Sequence, residues 1–254
     1  MRDPRCIFIT GASSGIGEAL ALSYAAPGVR LLLTGRDGGR LDGVAVRCRE
    51  RGADVATTLI DVTDRTALAA WISARDGEIP IDLVIANAGI SAGTGGGVET
   101  EAQARAIFAT NLDGVLNSIH PLIPAMVARR RGQVALMSSL ASFRGLPGAA
   151  AYSGSKAAVR VYGEALRGDL APHKVTVSVI CPGFVVSRMT AVNRFPMPFL
   201  MDAEKAAAII RTGLAAGKGR VAFPFPTYAV SWLLGMLPTA LVDALLARAP
   251  RKGG

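Results

Sequence analysis

The sequence predicts a single α/β domain, a doubly wound parallel sheet of seven strands with helices on both faces. Three observations lead there. Seven short apolar runs are each continuous and bounded by Gly, Asp or Ser, as strands buried on both faces are. Helical stretches separate the runs, and that alternation specifies parallel pairing through crossover helices. No linker, composition break or internal repeat divides the 254 residues.

The strand-like runs fall at 6–9, 31–33, 55–60, 83–86, 134–137, 175–180 and 220–223, with six helices expected between them. Glu18-Ala19-Leu20-Ala21 opens the first helix. The clearest helical pattern is Phe108, Leu112, Val115, Leu116, Ile119, Ile123, Met126 and Val127, three and four apart, which predicts one long helix with a single apolar face.

Composition excludes several classes. Apolar residues make up 50% and charged residues 19%, too much burial capacity for a disordered chain. Cys6, Cys48 and Cys181 cannot all pair and show no CxxC spacing, and His120 and His173 are the two histidines. Neither a disulfide framework nor a metal site is therefore expected. Residues 1–5 run straight into an apolar stretch far too short for a signal-peptide core, so a cytoplasmic, reducing location is expected.

Lys and Arg exceed Asp and Glu by 28 to 19, a net charge of +9. The run Arg129-Arg130-Arg131-Gly132 reads as a solvated helix end, and no nucleic-acid partner is expected. Residues 227–247 carry a single charge, Asp243, and are nearly long enough to span a bilayer. Gly235 and Pro238 interrupt them, so this segment reads as a substrate-cavity or subunit-contact element. Peripheral membrane contact through residues 224–254 is the alternative, with the basic tail at 248–252 facing anionic lipid.

Two motifs carry chemistry. Directly after the first strand stands Thr10-Gly11-Ala12-Ser13-Ser14-Gly15-Ile16-Gly17. Its glycines permit a tight turn and close approach of a pyrophosphate, and the free N–H groups of the following helix hold the anion. Farther on, Lys156 follows Tyr152 by four residues, which puts both on one helix face. A phenol titrates near 10, so service near neutrality needs roughly three units, about 4 kcal/mol. A positive charge about 4 Å away supplies that much at an effective dielectric near 20. Lys156 is therefore expected to lower the Tyr152 pKa.

These motifs resemble the short-chain dehydrogenase/reductase family, whose cofactor turn is TGxxxGxG. The resemblance covers residues 5 to about 223 and includes Asp61-Val62, Asn87-Ala88-Gly89, Asn111, Ser139 thirteen residues before Tyr152, and Pro182-Gly183, in the family's order. The chain departs from the pattern at Ala86, where the family often has a second Asn, and at Ser187, where it usually has Thr. The resemblance implies a Rossmann-type fold and a dinucleotide held by Gly11, Ser13, Ser14, Gly15, Ile16, Gly17, Asp61, Val62, Asn87, Ala88, Gly89, Pro182, Gly183, Val185 and Ser187. It assigns proton transfer to Tyr152, substrate-oxygen binding to Ser139, pKa control and ribose binding to Lys156, and positioning of Lys156 through a water to Asn111. Residues 184–201 would form a substrate lid, with Met189, Phe195, Met197, Phe199 and Met201 as an apolar wall.

Cofactor choice falls at the end of the second strand. An acid there would bind a ribose 2′-OH, but the chain has Gly35 followed by Arg36, which can pair with a 2′-phosphate. NADP(H) is therefore expected over NAD(H), although Asp37 follows directly and Ser14 adds no second cation. The expectation is an NADP(H)-dependent oxidoreductase interconverting a carbonyl and an alcohol on a small apolar substrate, as a homodimer or homotetramer. A non-catalytic dinucleotide-binding sensor or scaffold is the alternative.

Overall fold

The structure is a computed structural model and describes residues 3–92, 97–193 and 195–246; the basic tail at 248–252 lies outside them. Strands β1 (Cys6–Ile9), β2 (Arg30–Thr34), β3 (Asp54–Thr58), β4 (Leu83–Ala86), β5 (Gly132–Met137), β6 (Val175–Pro182) and β7 (Arg220–Phe223) form one sheet. Their order is β3-β2-β1-β4-β5-β6-β7, and every pairing is parallel. Strand alternation divides the core in two. On β1, Ile7 and Ile9 join one apolar cluster, whereas Cys6 and Phe8 join the other.

The first cluster is covered by α1 (Gly15–Tyr24), α2 (Gly38–Glu50) and α9 (Ala203–Ala215). The second lies under α3 (Arg65–Glu78), α5 (Gly114–Ile119), α6 (Ile123–Ala128) and α7 (Ala150–Leu170). Both faces are thus closed by helices, which is why the strand runs read as continuously apolar. The cysteines are free and buried at three separate places.

One element differs from its prediction. The stretch expected as a single long helix is broken into α4 (Glu101–Phe108), one π-helical turn at Ala109–Asp113, then α5 and α6. Two prolines account for the later break. Pro121 and Pro124 have no N–H to donate, and Pro124 sits in the first turn of α6, where none is needed. The apolar stripe survives at Val115, Ile119 and Met126, all buried, but Phe108 faces outward at 39% exposure.

Beyond β6 come the short α8 (Arg188–Ala191) and α9, and beyond β7 come α10 (Phe225–Met236) and α11 (Thr239–Leu246). Gly235 lets α10 lie directly on the loop after β5, since a Cβ there would stand 2.6 Å from the Phe143 carbonyl oxygen. Phe225, Trp232, Leu233 and Met236 face outward from α10. Among the described residues, no helix is long and apolar enough to cross a membrane.

Candidate active site

The turn after β1 is built for an anion. Gly11 and Gly15 take positive φ, +64° and +58°, which side chains with a Cβ disfavour. Thr10 and Asn87 then join this turn to the one after β4. The Thr10 hydroxyl accepts from the backbone N–H groups of Asn87 and Ala88 at 3.0 Å each. The Asn87 amide donates to the carbonyls of Thr10 and Gly11 at 3.0 and 3.2 Å. Asn87 therefore shapes the cleft by bonding its wall. The first N–H groups of α1 have no helical acceptor, and Ser14 makes no side-chain cap, so they remain available to a ligand.

Gly17 corrects the sequence expectation, because it does not line the cleft. It sits beneath the turn, where a Cβ would lie 2.3 Å from the Gly11 oxygen and 2.5 Å from Asn87 Nδ2. Gly17→Ala is expected to destabilise the fold by roughly 1–3 kcal/mol by forcing this backbone apart. Urea unfolding reads that loss directly, and an unchanged midpoint would contradict the tight approach.

The residues expected to handle the proton converge from three elements. Ser139 follows β5, Tyr152 and Lys156 lie on the first turns of α7, and Asn111 comes from the π turn. Ser138 donates its hydroxyl to the Lys156 carbonyl at 2.7 Å, which makes it a tie of α7 and leaves Ser139 for the cleft. The Ser139 hydroxyl accepts from Ala141 N–H at 3.1 Å and lies close enough to the Tyr152 phenol to act on its pKa. Lys156 is buried, 3% exposed, and its Nζ donates to the Met137 carbonyl at 2.9 Å, 5.9 Å from the Tyr152 ring centre.

The expected lowering of the Tyr152 pKa is not what the chain by itself produces. Burial pushes the phenol upward, and the neighbouring Ser139 hydroxyl opposes this only in part. Burial likewise lowers Lys156 from 10.5 to about 8, with Cys181 acting weakly the other way. Each group is desolvated and driven toward its neutral form. The ammonium is directed to a carbonyl, and its influence on the phenol does not offset the lost hydration.

Asn111 is fully buried and does not reach the cleft. Its carbonyl accepts from Ile90 N–H at 2.8 Å, and its amide donates to Ile90 O at 3.0 Å and to Ser155 Oγ at 3.1 Å. These bonds hold the loop after β4 against α7. They also leave Asn111 near Lys156, which it was expected to position through a water: a Cβ on Gly89 would meet Asn111 Oδ1 at 3.1 Å and Lys156 Nζ at 3.3 Å.

One cavity of about 1280 Å³ joins all this, larger than the roughly 300–1,000 Å³ of a pocket for one drug-sized ligand. Gly11, Ser13, Ser14, Gly15 and Ile16 line it from the first turn, and Asn87, Ala88 and Gly89 from the turn after β4. Ser139, Tyr152, Lys156, Pro182, Gly183, Val185 and Ser187 line it near the ends of β5 and β6. Arg36, Asp61 and Val62 flank its end by β2 and β3. Met189, Phe195 and Phe199 of the expected lid also line it, whereas Met197 and Met201 do not. Pro226, Val230 and Leu234 place one side of α10 on the cavity, in keeping with the substrate-cavity reading of that segment.

At the β2 end, Arg36 is 64% exposed and lies 3.7 Å from Asp61. Burial acts to raise the Asp61 pKa, but bonds from the Thr63 N–H and hydroxyl, with Arg36 beside them, hold it below the usual carboxylate value. A second cation stands nearby that the sequence reading passed over. Asp37 caps α2 by accepting from Arg40 N–H, and the Arg40 guanidinium lines the same cavity while pairing with Asp37 at 2.6 Å. The four-residue spacing from Arg36 was a legible signal. Arg144, also on the cavity wall, had none, because it sits in an irregular loop.

Comparison with known proteins places the chain in a family. The family model for short chain dehydrogenase matches residues 5–196. An uncharacterized oxidoreductase of Myxococcus xanthus is 40% identical, over 96% of this chain and 97% of that protein. A short-chain dehydrogenase from Sphingobium yanoikuyae, solved in complex with NADPH, shares the fold at a TM-score of 0.80 and 24% identity, covering 98% of both chains. A 3-oxoacyl-[acyl-carrier protein] reductase of Brucella melitensis with bound NAD superposes with a TM-score of 0.74 at 25% identity, over 86% of this chain and 89% of that one. With a matching family model over most of its length and a relative that similar, the chain belongs to the short-chain dehydrogenase family.

Proposed function

We propose that this protein is an NADP(H)-dependent oxidoreductase that interconverts a carbonyl and an alcohol. The observation that carries the reading is the meeting of Ser139, Tyr152 and Lys156 in one cavity with the free N–H groups of α1. The cavity fits a dinucleotide on its own terms: uncapped helix donors for a pyrophosphate, Arg36 and Arg40 at one end, and a proton donor at the other. When bound, that cofactor supplies the hydride.

The chain's own residues then handle orientation and the proton. Ser139 donates a hydrogen bond to the substrate oxygen. Tyr152 gives its phenolic proton to that oxygen as the carbon is reduced, and the resulting phenolate is balanced by the Lys156 ammonium nearby. In the oxidative direction the phenolate takes the alcohol proton back. Phe184 and Phe195, packed edge to face at 5.9 Å on the cavity wall, would help keep water from this step.

Preference for the phosphorylated dinucleotide rests on Arg36 and Arg40, with Gly35 in place of an acid. Both arginines now face carboxylates, Asp61 and Asp37, so a 2′-phosphate would compete for guanidinium donors already poised at the site. Arg36→Asp is expected to weaken NADPH binding at least about tenfold while NADH changes by less than about threefold. Fluorescence titration with each dinucleotide measures this, and a variant that kept its NADPH preference would overturn the assignment.

A further inference from the structure

The cavity wall supplied by the loop after Ser139, the 184–201 segment and α10 is largely apolar, with Leu140, Leu146, Phe184, Phe199, Val230 and Leu234 as examples. Arg144 intrudes on it. This side chain is only 18% exposed, and among the described residues its one partner is Asp243 of α11, at 3.7 Å and 75% exposed. That distance is outside hydrogen-bond reach, so the guanidinium, which stands on the cavity wall, has donors open to a ligand. A ligand oxygen arriving there would replace solvent on those donors. The other cations of the cavity are placed differently. Arg36 and Arg40 face Asp61 and Asp37, Arg188 is exposed on α8 beside Ser187, and Lys156 donates to the Met137 carbonyl.

We infer that Arg144 selects the substrate by binding a carboxylate carried by an otherwise apolar carbonyl compound. The inference rests on the carbonyl-reducing reading above and names its substrate class. A planar fork of donors matches a carboxylate bidentately, and apolar surroundings strengthen such a pair. Asp243 is the one charge in residues 227–247, and it holds the guanidinium loosely until the substrate's carboxylate takes it. The chain's net charge of +9 favours approach of an anion. The competing role is that of a strut, with Arg144 tying α11 across the cavity.

Two measurements separate these roles. The first is NADPH-dependent reduction of straight-chain oxo acids of graded length and of their methyl esters. Wild-type protein is expected to favour the best acid over its ester at least about tenfold in kcat/KM. Arg144→Gln is expected to raise KM for that acid about 10- to 100-fold with kcat little changed, and to leave the ester within about threefold; Arg144→Lys recovers part of the loss. Asp243→Asn is expected to lower KM for the acid. Equal losses for acid and ester in Arg144→Gln identify a strut and overturn the inference.

The second measurement is calorimetric binding of octanoate and methyl octanoate, neither of which can be turned over. Octanoate is expected to bind more tightly and to lose that advantage in Arg144→Gln. Binding that is indifferent to Arg144 overturns the inference even if ketones are reduced. If no carbonyl is reduced but octanoate binding still depends on Arg144, the anion site stands and the catalytic reading falls.

Discussion

Tyr152→Phe is expected to lower kcat for carbonyl reduction by about 10²- to 10⁴-fold, the range that a positioned proton donor contributes. The substitution removes one oxygen from a partly buried ring and leaves the cavity wall intact, so dinucleotide affinity and the thermal midpoint should hardly move. The chain also sets a directional pH dependence. Burial raises the Tyr152 pKa, so the phenol keeps its proton throughout the neutral range and is ready to donate. Lys156 titrates near 8, and its ammonium balances the phenolate left behind. Reduction should therefore fall as pH rises through about 8, whereas oxidation, which begins from the phenolate, should have a more alkaline optimum. Steady-state rates in both directions from pH 6 to 10 test this. A Phe variant with wild-type turnover, or coincident pH optima, would remove Tyr152 from its role.

Lys156→Met should abolish turnover and stabilise the fold. The ammonium is buried and its pKa is depressed from 10.5 to about 8. Below pH 8 the folded and unfolded chains both carry the proton, and the folded state bears the full cost of burying it. A shift of that size corresponds to at most about 3 kcal/mol. Between about pH 8 and 10.5 the folded chain has lost the proton while the unfolded chain retains it, so wild-type stability rises with pH across that window. Met removes the charge and keeps the apolar stem, though it gives up the bond to the Met137 carbonyl. The expected result is a gain of about 1–3 kcal/mol at pH 7 that shrinks toward pH 10. Urea unfolding at both pH values reads it. A variant destabilised equally at the two would mean that Lys156 serves the fold rather than the reaction.

Much of this was legible in the chain because the relevant physics is local. Continuous apolar runs at 83–86 and 134–137 betray strands covered on both faces, and Tyr152 and Lys156 share a helix face by spacing alone. Glycines at positions 11 and 15 announced a turn needing positive φ. The long helix at 108–127 was overread, because its apolar period continues through Pro121 and Pro124 although the backbone hydrogen bonds cannot. Gly17 and Asn111 matched motif positions, but a motif does not state which way a residue faces. One packs under the turn, and the other braces Ile90 and Ser155.

By itself, then, the sequence determined the order of strands and helices, the glycine turn after β1 and the spacing that puts Tyr152 and Lys156 together. Each depends on periodicity, backbone freedom or fixed spacing within a few residues. Tertiary structure decided what those groups experience. Desolvation of Tyr152 and Lys156 arises where β5, α7 and the turn after β4 close together, and it reversed the shift expected from pairwise charge. The same holds for Arg144, whose loop carries no signal until α10 and α11 pack over it and leave its donors facing an apolar cavity. Burial and the availability of donors belong to the assembled surroundings, because they depend on which distant segments exclude water.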